Sequence, residues 1–260
     1  GRKQESEADY LGLIFSSFIF LCFYKIRNDK NYLEISERSI IATCFCIFLA
    51  FFCLLNELLI SNFNLQYVAQ YTSYETPTFY KVTALWAGQA GSLLFWSFIT
   101  SLFTIIYIFK TLKVMENLKF NSYLILSFIF SFFIILSSFI ANPFEPVSSD
   151  IVVQNGNGLN PLLQNFFMAI HPPILYVGFT GSTIIFVMAM AASISKNVSF
   201  DWVRSIRRWS LIVWTFLSAG IILGGYWAYN ELGGGGSWAW EPVDTSSLRP
   251  WLTLTAIIPS

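Results

Sequence analysis

Charge is scarce in this sequence. Charged side chains make up 12% of its 260 residues, against roughly 25% in soluble domains, and they cancel at 15 basic to 15 acidic. A balanced chain offers no basic face, which excludes nucleic acid as a partner. Histidine occurs once, as His171, so no His-x-x-His metal pair exists, and there is no phosphate loop or nucleophile elbow. The four cysteines, Cys22, Cys44, Cys46 and Cys53, form neither a C-x-x-C nor a C-x-x-C-H. That removes the zinc, redox and c-type haem-attachment readings. Each lies in an apolar run, where cysteine serves as a small hydrophobe.

What the chain does have is apolar. It is 55% hydrophobic and 18% aromatic, with 27 phenylalanines and a mean hydropathy of +0.59. So much apolar surface excludes disorder, and one aqueous core cannot hide it, so a bilayer is the expected solvent. Apolar runs cover Tyr10–Tyr24, Ser39–Ser61, Ser92–Phe109, Tyr123–Ala141, Ile174–Ile194 and Trp209–Trp227, and another begins at Pro250. Most approach the roughly 20 residues that cross a bilayer, and none alternates as a barrel strand does. The expected fold is all-α: a polytopic integral membrane helical bundle, about six transmembrane helices plus a truncated seventh. With Gly1 first and Ser260 inside an apolar run, the sequence reads as a fragment. No small-residue cleavage pattern follows Tyr10–Tyr24, so a short membrane helix is expected there rather than a signal peptide.

Positive charge orients the bundle. Lys25, Arg27, Lys30 and Arg38 follow the first run, Lys110, Lys113 and Lys119 the third, and Lys196, Arg204, Arg207 and Arg208 the fifth. These are 11 of the 15 Lys and Arg residues, and the positive-inside rule makes their three loops cytoplasmic. The opposite face then carries Asn62–Gly91, Asn142–Pro173 and Gly225–Arg249, which hold nearly everything unusual in the sequence. Function is expected outside the cytoplasm. Among the apolar runs, Glu57 is the ionisable residue that reads as mid-helix.

On that outer face, His171 precedes Pro172-Pro173. A residue before proline is pushed from helical geometry, while proline suits a first helical turn, so His171 is expected just outside its helix. A neutral imidazole there can ligate a metal or haem iron; the alternative is an interfacial histidine capping a helix. Further along come Gly225-Tyr226-Trp227, the glycines Gly233–Gly236, then Trp238-Ala239-Trp240-Glu241-Pro242-Val243-Asp244. Such aromatics form either a membrane-interface belt or a platform for a planar apolar ligand, with Glu231, Glu241 and Asp244 as acceptors. Patterned aromatic sequence on both sides argues against reading the glycine run as a flexible linker. Trp86–Trp96 and the turn-rich Asn155–Gln164 support the same face. Gly220-x-x-x-Gly224 reads as ordinary close packing.

Taken in order, Trp86–Trp96, Asn142-Pro143-Phe144, Leu159–Tyr176 with its Leu-Asn-Pro-Leu-Leu-Gln and His-Pro-Pro, and Gly225–Trp251 resemble the first part of the CcmF-type haem lyases. These belong to the haem-handling superfamily named for its Trp-rich WWD segment, and its members are considerably longer. The resemblance implies a haem lyase subunit of cytochrome c maturation that receives haem b from the haem chaperone CcmE. Haem would then be joined by thioether bonds to apocytochrome c, with CcmH as the thiol-handling partner, in a bacterial inner membrane or alternatively a mitochondrial one. It implies that His171 is one of two outer iron ligands and that Trp227, Trp238, Trp240, Glu241 and Asp244 hold haem. It also implies a division into residues 1–79, the first two helices and an outer loop, and 80–260, the haem-handling core. That core contains the outer His loop 142–173 and the Trp-rich segment 225–251. The copy is divergent: two aromatics of the usual Trp-rich core are missing, its acids are exchanged, and Pro259 stands where the family carries a haem b histidine. Two other readings compete, a haem transporter or haem-holding module without lyase activity and an unrelated polytopic transport or structural protein.

Overall fold

The structure, a computed structural model, describes residues 2–148, 152–231 and 242–258, with side chains from Ile14 onward except at Met168, Glu231 and 242–245. The chain is a helical membrane bundle, and no strand occurs among the described residues beyond one isolated bridge, Leu65 with Pro146. Helices α1 (Arg2–Arg27) and α2 (Lys30–Leu59) pair first. Short α3 (Gln66–Tyr71) and α4 (Thr78–Thr83) follow, then α5 (Gln89–Ile106) and α6 (Lys119–Ile135). Both of these continue as π-helical turns, Tyr107–Leu112 and Leu136–Ile140. Helices α7 (Phe166–Ser195), α8 (Phe200–Glu231) and α9 (Pro242–Ile257) complete the order.

Five spans are long and apolar enough to cross a membrane among the described residues: Lys30–Leu59, Gln89–Leu112, Glu116–Ile140, Ala169–Ser195 and Phe200–Asn230. The first expected run lies inside α1 and the seventh inside α9. Within the spans apolar side chains face outward as well as inward, and small hydroxyl residues join the buried set. Phe45, Phe52, Phe128 and Phe132 are exposed, whereas Ser36, Thr43, Thr100 and Ser101 are buried. Lipid leaves no penalty on exposed phenylalanine, and small hydroxyl residues let helices approach and bond across. Ser17 does so twice, to Ser36 at 2.7 Å and to Ser127 at 3.0 Å, joining α1, α2 and α6. The four cysteines are free thiols; Cys44 is buried, Cys46 half-buried, and Cys22 and Cys53 exposed on the helix surface.

The loops sort to two ends. At one, Lys119 lies 3.5 Å from Glu37 and Tyr123 donates to the same carboxylate, while Lys25 sits over Phe120 and Asn121 donates to Ser195 at 2.7 Å. This is the Lys- and Arg-rich end. At the other, residues 62–86 interlock with 142–165: Gln66 N donates to Glu145 O, Val147 N to Asn64 O and Asn157 N to Ala69 O. Gly158, in left-handed geometry at φ +77°, lets its N–H reach Thr72 O at 3.1 Å. Glu57 belongs to this second end rather than to mid-helix, three residues before Ile60 caps α2, and accepts from Asn62 Nδ2 at 2.5 Å.

Candidate functional site

The site is built where α7 and α8 lie closest. Asn165 caps α7, its side chain accepting from Phe167 N at 2.8 Å, and the helix runs unbroken through His171-Pro172-Pro173. His171 is therefore inside α7, not just outside it. The prolines do remove two backbone donors, but the Asn165 cap starts the helix five residues before His171, and close contact with α8 holds it. At Gly220 a Cβ would lie 2.8 Å from Leu175 Cα, so the two backbones touch.

The Gly220-x-x-x-Gly224 pair does more than pack. Gly224 leaves the space that the imidazole fills: a Cβ there would stand 2.5 Å from His171 Cε1 and 2.9 Å from Nδ1. Gly220 supplies its carbonyl, 2.8 Å from His171 Nδ1. A carbonyl oxygen only accepts, so in the neutral ring Nδ1 carries the proton and Nε2 the lone pair. Metal-ligating histidines are oriented this way by a partner on their other nitrogen.

His171 lies in the wall of a cavity of about 460 Å³, within the range that holds small-molecule cofactors. Its α7 wall includes Leu175, Tyr176 and Phe179; Trp86 and Trp96 close it from the α5 side, Trp227 from α8, and Ser246 and Ser247 from α9. Trp86 is fixed through Tyr67, a residue that sequence reasoning missed because it acts from α3. Its hydroxyl donates to Ala84 O and Leu85 O at 2.9 and 3.0 Å and accepts from Gly88 N at 3.1 Å. Burial raises the phenol's pKa well above its ordinary value, keeping the proton that this clasp needs. Reciprocal bonds secure α9: Trp214 Nε1 donates to Thr255 at 2.8 Å and Trp251 Nε1 to Ser218 at 2.7 Å, with the two indoles stacked. Two cavity indoles, Trp96 and Trp227, bury an Nε1–H that has no hydrogen-bond partner among the described residues.

Of the expected site residues, His171 and Trp227 thus share one cavity. Trp238, Trp240 and Glu241 lie outside the described residues, as do the glycine run, Pro259 and the side chains of Glu231 and Asp244. Tyr176, Ser246 and Ser247 join the cavity without having been singled out. The donor set suits haem: one imidazole tied off at Nδ1, aromatic walls, and few charges.

A family model described as Cytochrome C assembly protein matches residues 86–260. The chain belongs to this family. It is 40% identical over 201 residues to the cytochrome c-type biogenesis protein NrfE of Haemophilus influenzae, covering 77% of this chain and 31% of that protein. To the cytochrome c-type biogenesis protein CcmF of Pseudomonas aeruginosa it is 34% identical over 234 residues, 90% of this chain and 36% of the relative. A solved structure titled Cytochrome c Heme Lyase CcmF superposes with a TM-score of 0.79 at 29% identity, covering 97% of this chain and 40% of that one. The chain thus spans about a third of the length of these curated relatives and corresponds to the N-terminal part of a CcmF-type protein. Family membership assigns it to cytochrome c assembly and to a multi-pass membrane location.

Proposed function

We propose that this chain is the N-terminal part of a haem lyase subunit, and that residues 80–260 hold haem b in the cavity beside His171. The observation that carries this reading is the seating of His171: its Nδ1 is bound to Gly220 O in the wall of an aromatic cavity. His171 Nε2 would ligate the iron and Trp86, Trp227 and Tyr176 would hold the ring, with Trp238, Trp240, Glu241 and Asp244 as the further haem-binding residues. Bound haem supplies the vinyl groups that become thioethers on apocytochrome c. The chain's own part would be to bind and orient the ring and exclude water. On this reading the haem chaperone CcmE and the thiol-handling CcmH are the partners, acting at the end away from the Lys- and Arg-rich loops, the periplasmic side of a bacterial inner membrane by the positive-inside rule.

Haem titration of the full-length protein in nanodiscs tests the reading. His171→Ala weakens the haem absorbance signal and changes its ligation spectrum, and Trp227→Ala lowers occupancy while leaving the ligation spectrum unchanged. An unaltered spectrum in His171→Ala overturns the ligand assignment.

A further inference from the structure

Several cations at the Lys- and Arg-rich end already have partners. Lys119 lies 3.5 Å from Glu37 and Arg38 3.8 Å from Glu34. Arg27 donates to the Tyr32 hydroxyl at 3.3 Å, and Lys25 and Arg204 rest over the rings of Phe120 and Phe200. Lys110, Lys113 and Arg208 differ: all are exposed, and none makes an ion pair among the described residues. The acids nearest to them in sequence lie in the segments that follow. Asp201 sits in the first turn of α8, where it answers the helix N-terminus, and Glu116 heads the turn Glu116–Leu118.

The fold gathers these three cations at one seam. Trp209 of α8 meets Phe103 edge-on at 5.7 Å and donates from Nε1 to Thr111 Oγ1 at 3.3 Å. Arg208 precedes that indole and Lys110 precedes that hydroxyl, so the bond brings their helices together beside the charges. Lys110 and Thr111 lie in the π-helical turn Tyr107–Leu112, a geometry frequent at functional sites. Tyr107 anchors that turn to Ser122 of α6 at 2.9 Å, and Trp202 Nε1 anchors the start of α8 to Met188 O at 3.1 Å. One side of the seam is filled by α7, where a Cβ on Gly181 would lie 2.5 Å from buried Val213. The other side is open to acyl chains. Ile212, one turn on from Arg208, is 50% exposed, and Phe109, beside Lys110, is 56% exposed.

Cations held together at the bilayer edge, above exposed apolar side chains, suit an acidic lipid headgroup. Their stems lie along the acyl chains and their charged heads meet the phosphates. A single phosphate leaves most of this charge unbalanced, whereas two phosphates on one headgroup nearly balance it. We propose that the α5–α8 seam binds a phospholipid with two phosphates, of the diphosphatidylglycerol class. Arg208 grips one phosphate with its planar fork, Lys110 and Lys113 hold the other, and the acyl chains run along Ile212 and Phe109. The site lies at the end of the bundle away from the His171 cavity and does not rest on the haem reading. The competing account is that these cations only orient the helices in the membrane.

The test uses full-length protein in phosphatidylcholine nanodiscs doped with diphosphatidylglycerol that carries a photoactivatable acyl chain. Retained lipid is read by native mass spectrometry after mild detergent release, and cross-links are mapped by residue. The unaltered protein keeps the lipid and cross-links at Ile212 and Phe109. The combined variant Lys110→Gln, Lys113→Gln, Arg208→Gln keeps several-fold less. Lys30→Gln, Arg38→Gln, Lys196→Gln removes the same charge from the same end and keeps as much as the unaltered protein. Arg208→Lys, which preserves charge but not the fork, falls between. All four proteins unfold at the same temperature in undoped nanodiscs, as expected for exposed side chains. Undiminished retention in the first triple variant, or equal loss in both, overturns the site and leaves the cations to orientation alone. Equal retention of phosphatidylglycerol, with its single phosphate, overturns the headgroup assignment. Displacement of the lipid by soluble pyrophosphate overturns the lipid and gives the seam to a soluble anion.

Discussion

Replacing Gly224 with alanine puts a methyl carbon 2.5 Å from His171 Cε1 and 2.9 Å from Nδ1. Carbon atoms rest about 3.5–4.0 Å apart, so the ring must retreat by about 1 Å. Nδ1 is 2.8 Å from Gly220 O, and a retreat of that size carries it out of hydrogen-bond range. Loss of such an orienting partner lowers metal affinity by about 10- to 100-fold. The overpacking itself destabilises by about 1–3 kcal/mol, so a control must separate the two effects. Gly178→Ala serves, because a Cβ there lies 2.6 Å from Leu217 N on the same helix interface and two turns from His171. Both variants should unfold at similarly reduced temperature in nanodiscs. Only Gly224→Ala should weaken haem binding, read as the dissociation constant from a Soret titration. Equal haem affinity in Gly224→Ala and the unaltered protein would refute the seating argument, and equal weakening in both variants would reduce it to general loosening of α7 against α8.

Tyr67→Phe removes the hydroxyl that clasps Ala84, Leu85 and Gly88, and should cost about 1–3 kcal/mol in thermal or denaturant unfolding. Because folding raises the Tyr67 pKa, its contribution is complete below about pH 10, the unfolded value, and is lost as pH rises further. Tyr67→Phe should accordingly flatten the alkaline limb of the stability profile; an unchanged limb counts against the buried phenol. In the α8–α9 clasp, Trp251→Phe and Ser218→Ala should be non-additive, with a coupling of about 0.5–3 kcal/mol, and strict additivity would show that the bond contributes nothing. An impermeant thiol reagent should label a cysteine placed at Ser237 but not one at Ser199, and the reverse pattern would invert the orientation.

The spans were legible because the lipid-facing surface imposes a composition that a single sequence displays. Each apolar run falls within a helix or largely coincides with one, but the helices overrun the runs wherever polar residues continue past the hydrocarbon. Thus Trp209–Trp227 sits inside α8, which extends from Phe200 to Glu231. The grouping of loops at two ends was legible for the same reason, since Lys and Arg mark one of them. Helices α3 and α4 were not legible. Their six residues each are too few to show periodicity, and they are tied to residues more than 80 positions later, with Asn157 N donating to Ala69 O and the Tyr80 hydroxyl to Gln164 O.

His171 shows where local rules give way. Pre-proline sterics put His171 outside the helix because they weigh only neighbours in sequence, and the helix runs through it. The cap that starts the helix is Asn165, and the surface that keeps it straight belongs to α8, 49 residues away at Gly220. Read alone, Gly220 and Gly224 report only that something approaches closely, and a neighbouring helix is sufficient explanation for any such pair in a membrane. What approaches is the chain's one imidazole, and that coincidence is invisible until both helices are placed. Sequence therefore nominated the proposed ligand residue and, separately, the glycines that seat it, without linking them. The link is the chemically informative part. A histidine at a helix start has either tautomer available, whereas one whose Nδ1 faces a carbonyl has its lone pair committed to Nε2 before any metal arrives.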